Sequence, residues 1–166
     1  MKKNLFITFL LGMALSLGGC RSDAGNSPPS DKNTGQSNAT DSMEMAHTMK
    51  LTIKTHKETL HATLDDSAAS RDFIKMLPIT LKLEDYNRTE KIFYPDPALD
   101  TEGVTRGCAP VPGDITIYAP WGNVAIFYKE WPQSGSLIKI GRIDGNGIDA
   151  LSAYSGDVNV RMENNE

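Results

Sequence analysis

Apolar residues return at every second position over much of this chain, and a period of two admits only extended backbone with one dry and one wet face. Leu51 and Ile53 alternate with Lys50, Thr52 and Lys54. Leu60, Ala62 and Leu64 alternate with Thr59, His61 and Thr63, and Val158, Val160 and Met162 with Asp157, Asn159 and Arg161. Strand signals also fall at residues 79–83, 91–94, 114–118, 123–129 and 136–143. Within 123–129, Val124 and Ile126 face one side while Ala125 and Phe127 face the other. A strand apolar on both faces is expected to be covered on both, as where a helix or long loop lies over a barrel wall.

Two segments change the period. Ser67, Arg71 and Lys75 recur every four residues, while Ala69, Phe73, Ile74 and Leu77 gather on another face. This predicts a helix over 66–77, capped by Asp66 and stopped by Pro78. Gly145-Asn146-Gly147 turns the chain into a second short helix over 148–153. Residues 95–113 are rich in Pro and Gly without a sustained period and read as one long loop, a length usually functional or mobile. The order is ββαβββββαβ. Eight strands can close into a barrel whose interior is just filled by side chains, and closure removes exposed edges. The expected fold is therefore dominated by β-structure, a closed eight-stranded barrel with two short helices over residues 49–163.

The start of the chain carries an address. Lys2 and Lys3 precede an apolar run from Leu5 to Leu17, which is secretory-signal anatomy and too short to span a bilayer as a helix. Leu17-Gly18-Gly19-Cys20 resembles a bacterial lipobox, in which the cysteine thiol is diacylated and becomes the mature N-terminus. Residues 1–19 are thus expected to be a lipoprotein signal peptide, and acylated Cys20 to hold the protein on the outer side of a bacterial membrane. Several acyl chains anchor stably where one would not. Removing residues 1–19 takes away Lys2 and Lys3 and no acid, so the mature chain carries 15 basic against 21 acidic residues and does not favour adhesion to anionic lipid, and the formal net charge of -4 argues against nucleic acid as a partner.

Residues 21–48 contain no aromatic residue and no Val, Ile or Leu. Such a segment cannot bury enough apolar surface to offset its ordering entropy, so 20–48 is expected to be a disordered tether reaching about 30 Å. Met43, Met45, His47 and Met49 stand at alternate positions across its end and the start of the domain. Three thioethers and an imidazole suit Cu(I), a soft ion, which makes them candidates for an extracytoplasmic metal or redox accessory role. His56 and His61 fall in a turn and on a wet strand face, without ligand spacing. With Cys20 acylated, Cys108 has no intramolecular partner and no disulfide framework exists. No phosphate-binding glycine loop and no nucleophile elbow is present, and no cofactor is expected.

A resemblance rests on longer stretches. Leu137-Ile138-Lys139-Ile140-Gly141-Arg142-Ile143, then Asp144-Gly145 and Ile148-Asp149-Ala150-Leu151, resemble the penultimate strand and last helix of cyclophilins. Glu84-Asp85-Tyr86-Asn87, Glu90-Lys91-Ile92, Pro112-Gly113-Asp114-Ile115 and the run from Ala119 to Tyr128 are similar to the bacterial cyclophilin-like family. That family is a compact barrel, in some cases encoded with or fused to flavodoxin-like domains, which implies a flavodoxin-like protein as a partner. Cyclophilins carry their catalytic arginine in a Phe-His-Arg element with Gln-Gly-Gly-Asp soon after. Residues 91–114 contain neither, and the only arginine there is Arg106.

The expected activity follows from that departure. Fold never guarantees function. The favoured expectation is a membrane-anchored binding or accessory module for a small molecule or peptide, without catalytic residues. Arg106, Tyr118, Trp121, Asn123 and Phe127 are the candidate ligand-binding residues, with Phe93 or Trp131 as further cleft walls. Against this stand a prolyl isomerase using a displaced arginine (Arg106, Arg88 or Arg142) and the metal or redox role of the Met/His cluster.

Overall fold

The computed structural model describes residues 48–165. Its elements are β1 (Met49–Lys54), β2 (Thr59–Leu64), α1 (Ala68–Lys75), β3 (Ile79–Tyr86), β4 (Glu90–Phe93), β5 (Asp114–Tyr118), β6 (Asn123–Phe127), β7 (Leu137–Ile143), α2 (Gly147–Ser152) and β8 (Val158–Asn164). The strands close into one antiparallel barrel in the order β1-β2-β7-β5-β6-β4-β3-β8. Both the element order and the closed eight-stranded barrel are those expected from the hydrophobic period.

The alternation decides what lies inside. Leu51, Ile53, Leu60, Ala62, Leu64, Ile115, Ile117, Val124, Ile126, Ile138 and Ile140 fill the interior. The helix α1 adds Ala69 and Phe73, the latter 5.7 Å from the ring of Phe93. A second, smaller cluster of Ile92, Ala125, Phe127 and Leu137 lies on the opposite side of the wall, with Cys108 and Tyr118 packed on it. Every residue of β6 is buried, so the two-faced apolarity of this strand is explained by cover on both sides.

Element ends differ from the sequence reading, each for a local reason. Ser67, not Asp66, caps α1: it is extended and its Oγ accepts from the Ser70 amide at 3.1 Å. Asp66 instead pairs with Arg71. The helix stops at Lys75, two residues before Leu77. β3 runs on to Tyr86 because Glu84, Asp85 and Tyr86 pair with Ile92, Lys91 and Glu90. β6 ends at Phe127, since the amides of Tyr128 and Lys129 both leave the ladder for the Thr89 carbonyl.

Two features hold the barrel in shape. Where β5 meets β7 the register slips, Ile115 facing Gly141 but Thr116 facing Lys139. A Cβ on Gly141 would run into the Thr63 carbonyl and come within 2.8 Å of Leu64 Cα, so only glycine lets β2 and β7 approach so closely. At one end of the barrel, fully buried Lys91 donates to Asp85 Oδ2 at 2.6 Å and to the carbonyls of Tyr154 and Gly156 at 2.8 and 2.6 Å. Tyr128 Oη adds a 2.8 Å bond to the same carboxylate oxygen.

Candidate functional site

The outer cluster floors a groove. Period two sends Glu90 and Ile92 of β4 outward while Lys91 and Phe93 turn in, and sends Asn123, Ala125 and Phe127 of β6 outward beside them. Leu137 and Tyr118 continue the same face across β7 and β5, which pair at that position. Over this floor stand three walls: the β3–β4 hairpin with Tyr86, Asn87 and Thr89, the β5–β6 turn with Trp121, and the segment before β7 with Trp131 and Ser134. The cleft they enclose measures about 420 Å³. That is the size of a small-molecule or short-peptide site.

Each wall is fixed by its backbone. The β5–β6 turn closes through Trp121 and Gly122 amides on the Tyr118 carbonyl, at 3.1 and 2.9 Å. Gly122 lies at φ +70°, a left-handed conformation that glycine adopts without penalty. This holds Trp121 out on the rim, where its ring meets Tyr118 edge-on at 5.3 Å and Tyr86 at 5.8 Å. Asn87 and Arg88 both take φ 52° and turn β3 into β4. The wall before β7 is tied to the long loop by the Cys108–Ser134 bridge and by the Gly107 amide on the Leu137 carbonyl at 2.8 Å.

Burial bears on two polar groups in the cleft that lack protein partners, Asn123 Oδ1 and the Glu90 carboxyl. Asn123 is only 2% exposed, and its Oδ1 accepts no hydrogen bond among the described residues. A buried acceptor in that state carries a desolvation cost which a bound donor would remove. Half-buried Glu90 has a carboxyl pushed up to about 7 by burial alone, with no hydrogen bond or cation to offset it. Asp85, just behind, differs. Burial would raise it, but the hydrogen bonds from Lys91 and Tyr128 outweigh that and hold it below the usual carboxylate range. Tyr128 is in turn raised to about 12, by burial and by its bond to Asp85. No arginine or lysine lines the cleft among the described residues.

Of the residues singled out from sequence, the structure gathers Tyr118, Trp121, Asn123, Phe127 and Trp131 around this one groove. Arg106 is not there. The 95–113 loop runs its backbone against Ser134 and Leu137 and leaves the Arg106 side chain exposed, outside the cleft lining. Phe93 is a core residue against Phe73. The other two candidate arginines stay outside as well: Arg88 is exposed at the hairpin tip, and Arg142 donates to the Pro112 carbonyl at 3.1 Å. Cys20, Met43, Met45 and His47 lie outside the described residues, and Met49 opens β1 opposite Leu64. Cys108 is a free, partly buried thiol, raised by burial and further by Asp114.

The residues the sequence reading missed are Tyr86, Asn87, Thr89, Glu90, Ile92, Ser134 and Leu137. A signal existed for two of them, since period two places Glu90 and Ile92 opposite the core-facing Phe93. The hairpin tip offered none, because a polar stretch gives no sign of which way it leans.

Comparison with known proteins agrees with this architecture. The model of the cyclophilin-like family matches residues 53–163. The solution structure of a hypothetical protein from Archaeoglobus fulgidus superposes with a TM-score of 0.58 at 20% identity, covering 74% of this chain and 99% of that one. At that identity the likeness is one of fold. No curated protein gives a significant sequence match. With two thirds of its length matched by the family model and the barrel closed as described, the chain belongs to the cyclophilin-like family.

Proposed function

We propose that this protein is a lipid-anchored binding module whose outer groove takes a small molecule or short peptide without turning it over. The observation that carries the reading is the groove itself: aromatic walls, an apolar floor, a buried unpartnered acceptor on Asn123, and no guanidinium. Prolyl isomerisation needs a donor at the twisted amide nitrogen, stronger in the transition state than in the ground state. None of the groove's side chains is an arginine able to supply it. Tyr118, Trp121, Asn123 and Phe127 are the ligand-contacting residues of this reading, with Arg106 left out. Acylation of Cys20 holds the domain at the extracytoplasmic face of a bacterial membrane, and a flavodoxin-like protein is the partner implied by the family.

The test starts from the barrel domain screened by thermal shift against metabolites, flavins and short peptides, with a proline-peptide isomerase assay alongside. Binding that Trp121→Ala and Phe127→Ala weaken, with no acceleration of prolyl isomerisation, is the expected result. Catalysis at ordinary cyclophilin rates sinks the reading. Metabolic labelling with a palmitate analogue, lost in Cys20→Ala, checks the anchor.

A further inference from the structure

The charge of the groove is one-sided. Its one charged group, the Glu90 carboxyl, and its buried unpartnered atom, Asn123 Oδ1, are both acceptors, and no cationic side chain faces them from the floor or the three walls. Aromatic faces add the same preference, because their quadrupoles attract cations. Tyr86, Trp121 and Tyr118 form a continuous edge-to-face row along the rim, with ring separations of 5.8 and 5.3 Å. Glu90 is the one charged side chain of the lining among the described residues, so the charge the cleft presents is negative.

The spacing of the two acceptors narrows the ligand. Glu90 pairs with Phe127 on β6, and Asn123 lies four residues back along that same strand. At a rise of about 3.3 Å per residue the two stand about 13 Å apart, the length of four residues of extended peptide. The stretch between them is apolar, with Ile92, Ala125 and Phe127 buried beneath.

Resting on the binding-module reading above, we propose that the groove takes an extended peptide segment of about four residues bearing a lysine or arginine. The basic side chain lies at Glu90, its aliphatic stem runs along the apolar floor, and a backbone N–H is donated to Asn123 Oδ1. Charge complementarity chooses this occupant over a neutral or acidic peptide. It also departs from a site that selects proline, since proline lacks the N–H that Asn123 calls for. Burial holds the empty Glu90 carboxyl near 7, so an arriving cation restores its ionised form.

The chain contains two tryptophans, Trp121 and Trp131, and both line the groove, so intrinsic fluorescence reports occupancy directly. The probes are pools of N-acetylated, C-amidated tetrapeptides with one position fixed as Lys, Arg, norleucine or Glu, titrated into the full chain at pH 8. Spermidine serves as the free-amine control. Lys and Arg pools are expected to bind about tenfold more tightly than the norleucine pool, and Glu90→Gln to erase that preference while neutral pools still bind. Asn123→Val is expected to weaken every pool about tenfold while its thermal stability stays at or above wild type. Equal binding of Lys and norleucine pools overturns the basic-peptide proposal and leaves the binding module standing. Spermidine bound with no peptide bound overturns the peptide as occupant. Silence from every probe, with metabolites and flavins silent too, removes both readings.

Discussion

Glu90 and Asn123 are side chains whose present environment is worse for them than water, and that makes them measurable. The Glu90 carboxyl rises from 4.5 to about 7 through burial. A carboxyl raised on folding contributes its full stability below the unfolded value and loses it as pH climbs through the folded one. The domain is therefore expected to lose about 1–2 kcal/mol between pH 4.5 and pH 8 from this half-exposed group alone, after allowance for solvent screening. Glu90→Gln abolishes that slope, so its melting temperature exceeds wild type at pH 8 and matches it near pH 4. Thermal melts across that range decide the matter, and an unchanged slope in the variant refutes it. Asn123→Val removes the unpartnered buried acceptor and keeps a β-branched side chain on a strand, so it is expected to stabilise by about 1 kcal/mol in urea titration. Loss of stability instead would mean that Oδ1 already has a partner.

Among the elements, what could be read in advance and what could not divides along a physical line. Strands with one apolar face announce themselves by period, as the two at the start and the one at the end did, while the inner strands showed as apolar runs between turn residues. The groove floor was half legible, because Val124-Ala125-Ile126-Phe127 could be seen to need cover on both sides. What supplied the cover could not be seen. Part of it comes from the arginine-bearing loop, whose Cys108 packs on the outer cluster while its backbone bonds to Ser134 and Leu137, and such long-range pairing leaves no mark in local sequence. The end of β3 was hidden for a related reason: Glu84, Asp85 and Tyr86 are strand by virtue of their partners on β4, not by their own propensity. Gly141 belongs to the same scale. It looked like an ordinary residue of a strand, whereas it sits where the β5–β7 register slips and where β2 presses against β7. Gly141→Ala is expected to cost about 1–3 kcal/mol, as overpacking against backbone does, whereas Gly135→Ala, with open space around its Cβ position, costs little. Equal urea midpoints for the two variants would contradict this packing.

At the scale of the whole molecule, a closed barrel must seal its ends, and here one end is sealed with a charge. Lys91 lies on the inward face of β4 with no exposed surface, and its three donated bonds join β3, through Asp85, to the segment after α2, through the Tyr154 and Gly156 carbonyls. Tyr128, just beyond β6, closes the arrangement over the same carboxylate and lays its ring 5.3 Å from the Lys91 ammonium. A buried pair of this kind is weak evidence for net stability, but cutting one partner leaves the other uncompensated. Lys91→Met is thus expected to destabilise by about 3–5 kcal/mol. The double variant with Asp85→Leu should recover part of that loss, a coupling of about 1–3 kcal/mol in a double-mutant cycle. The sign of the pH dependence follows from Asp85, which is held below its ordinary value. Its contribution is present above about pH 4 and is lost as pH falls through the folded-state pKa, so wild type weakens in acid. Lys91→Met removes the partner and flattens that acid limb. If the two single variants proved additive and the acid limb survived in Lys91→Met, the ammonium would be a bystander at the barrel end. The two apolar clusters would then hold the wall closed without it.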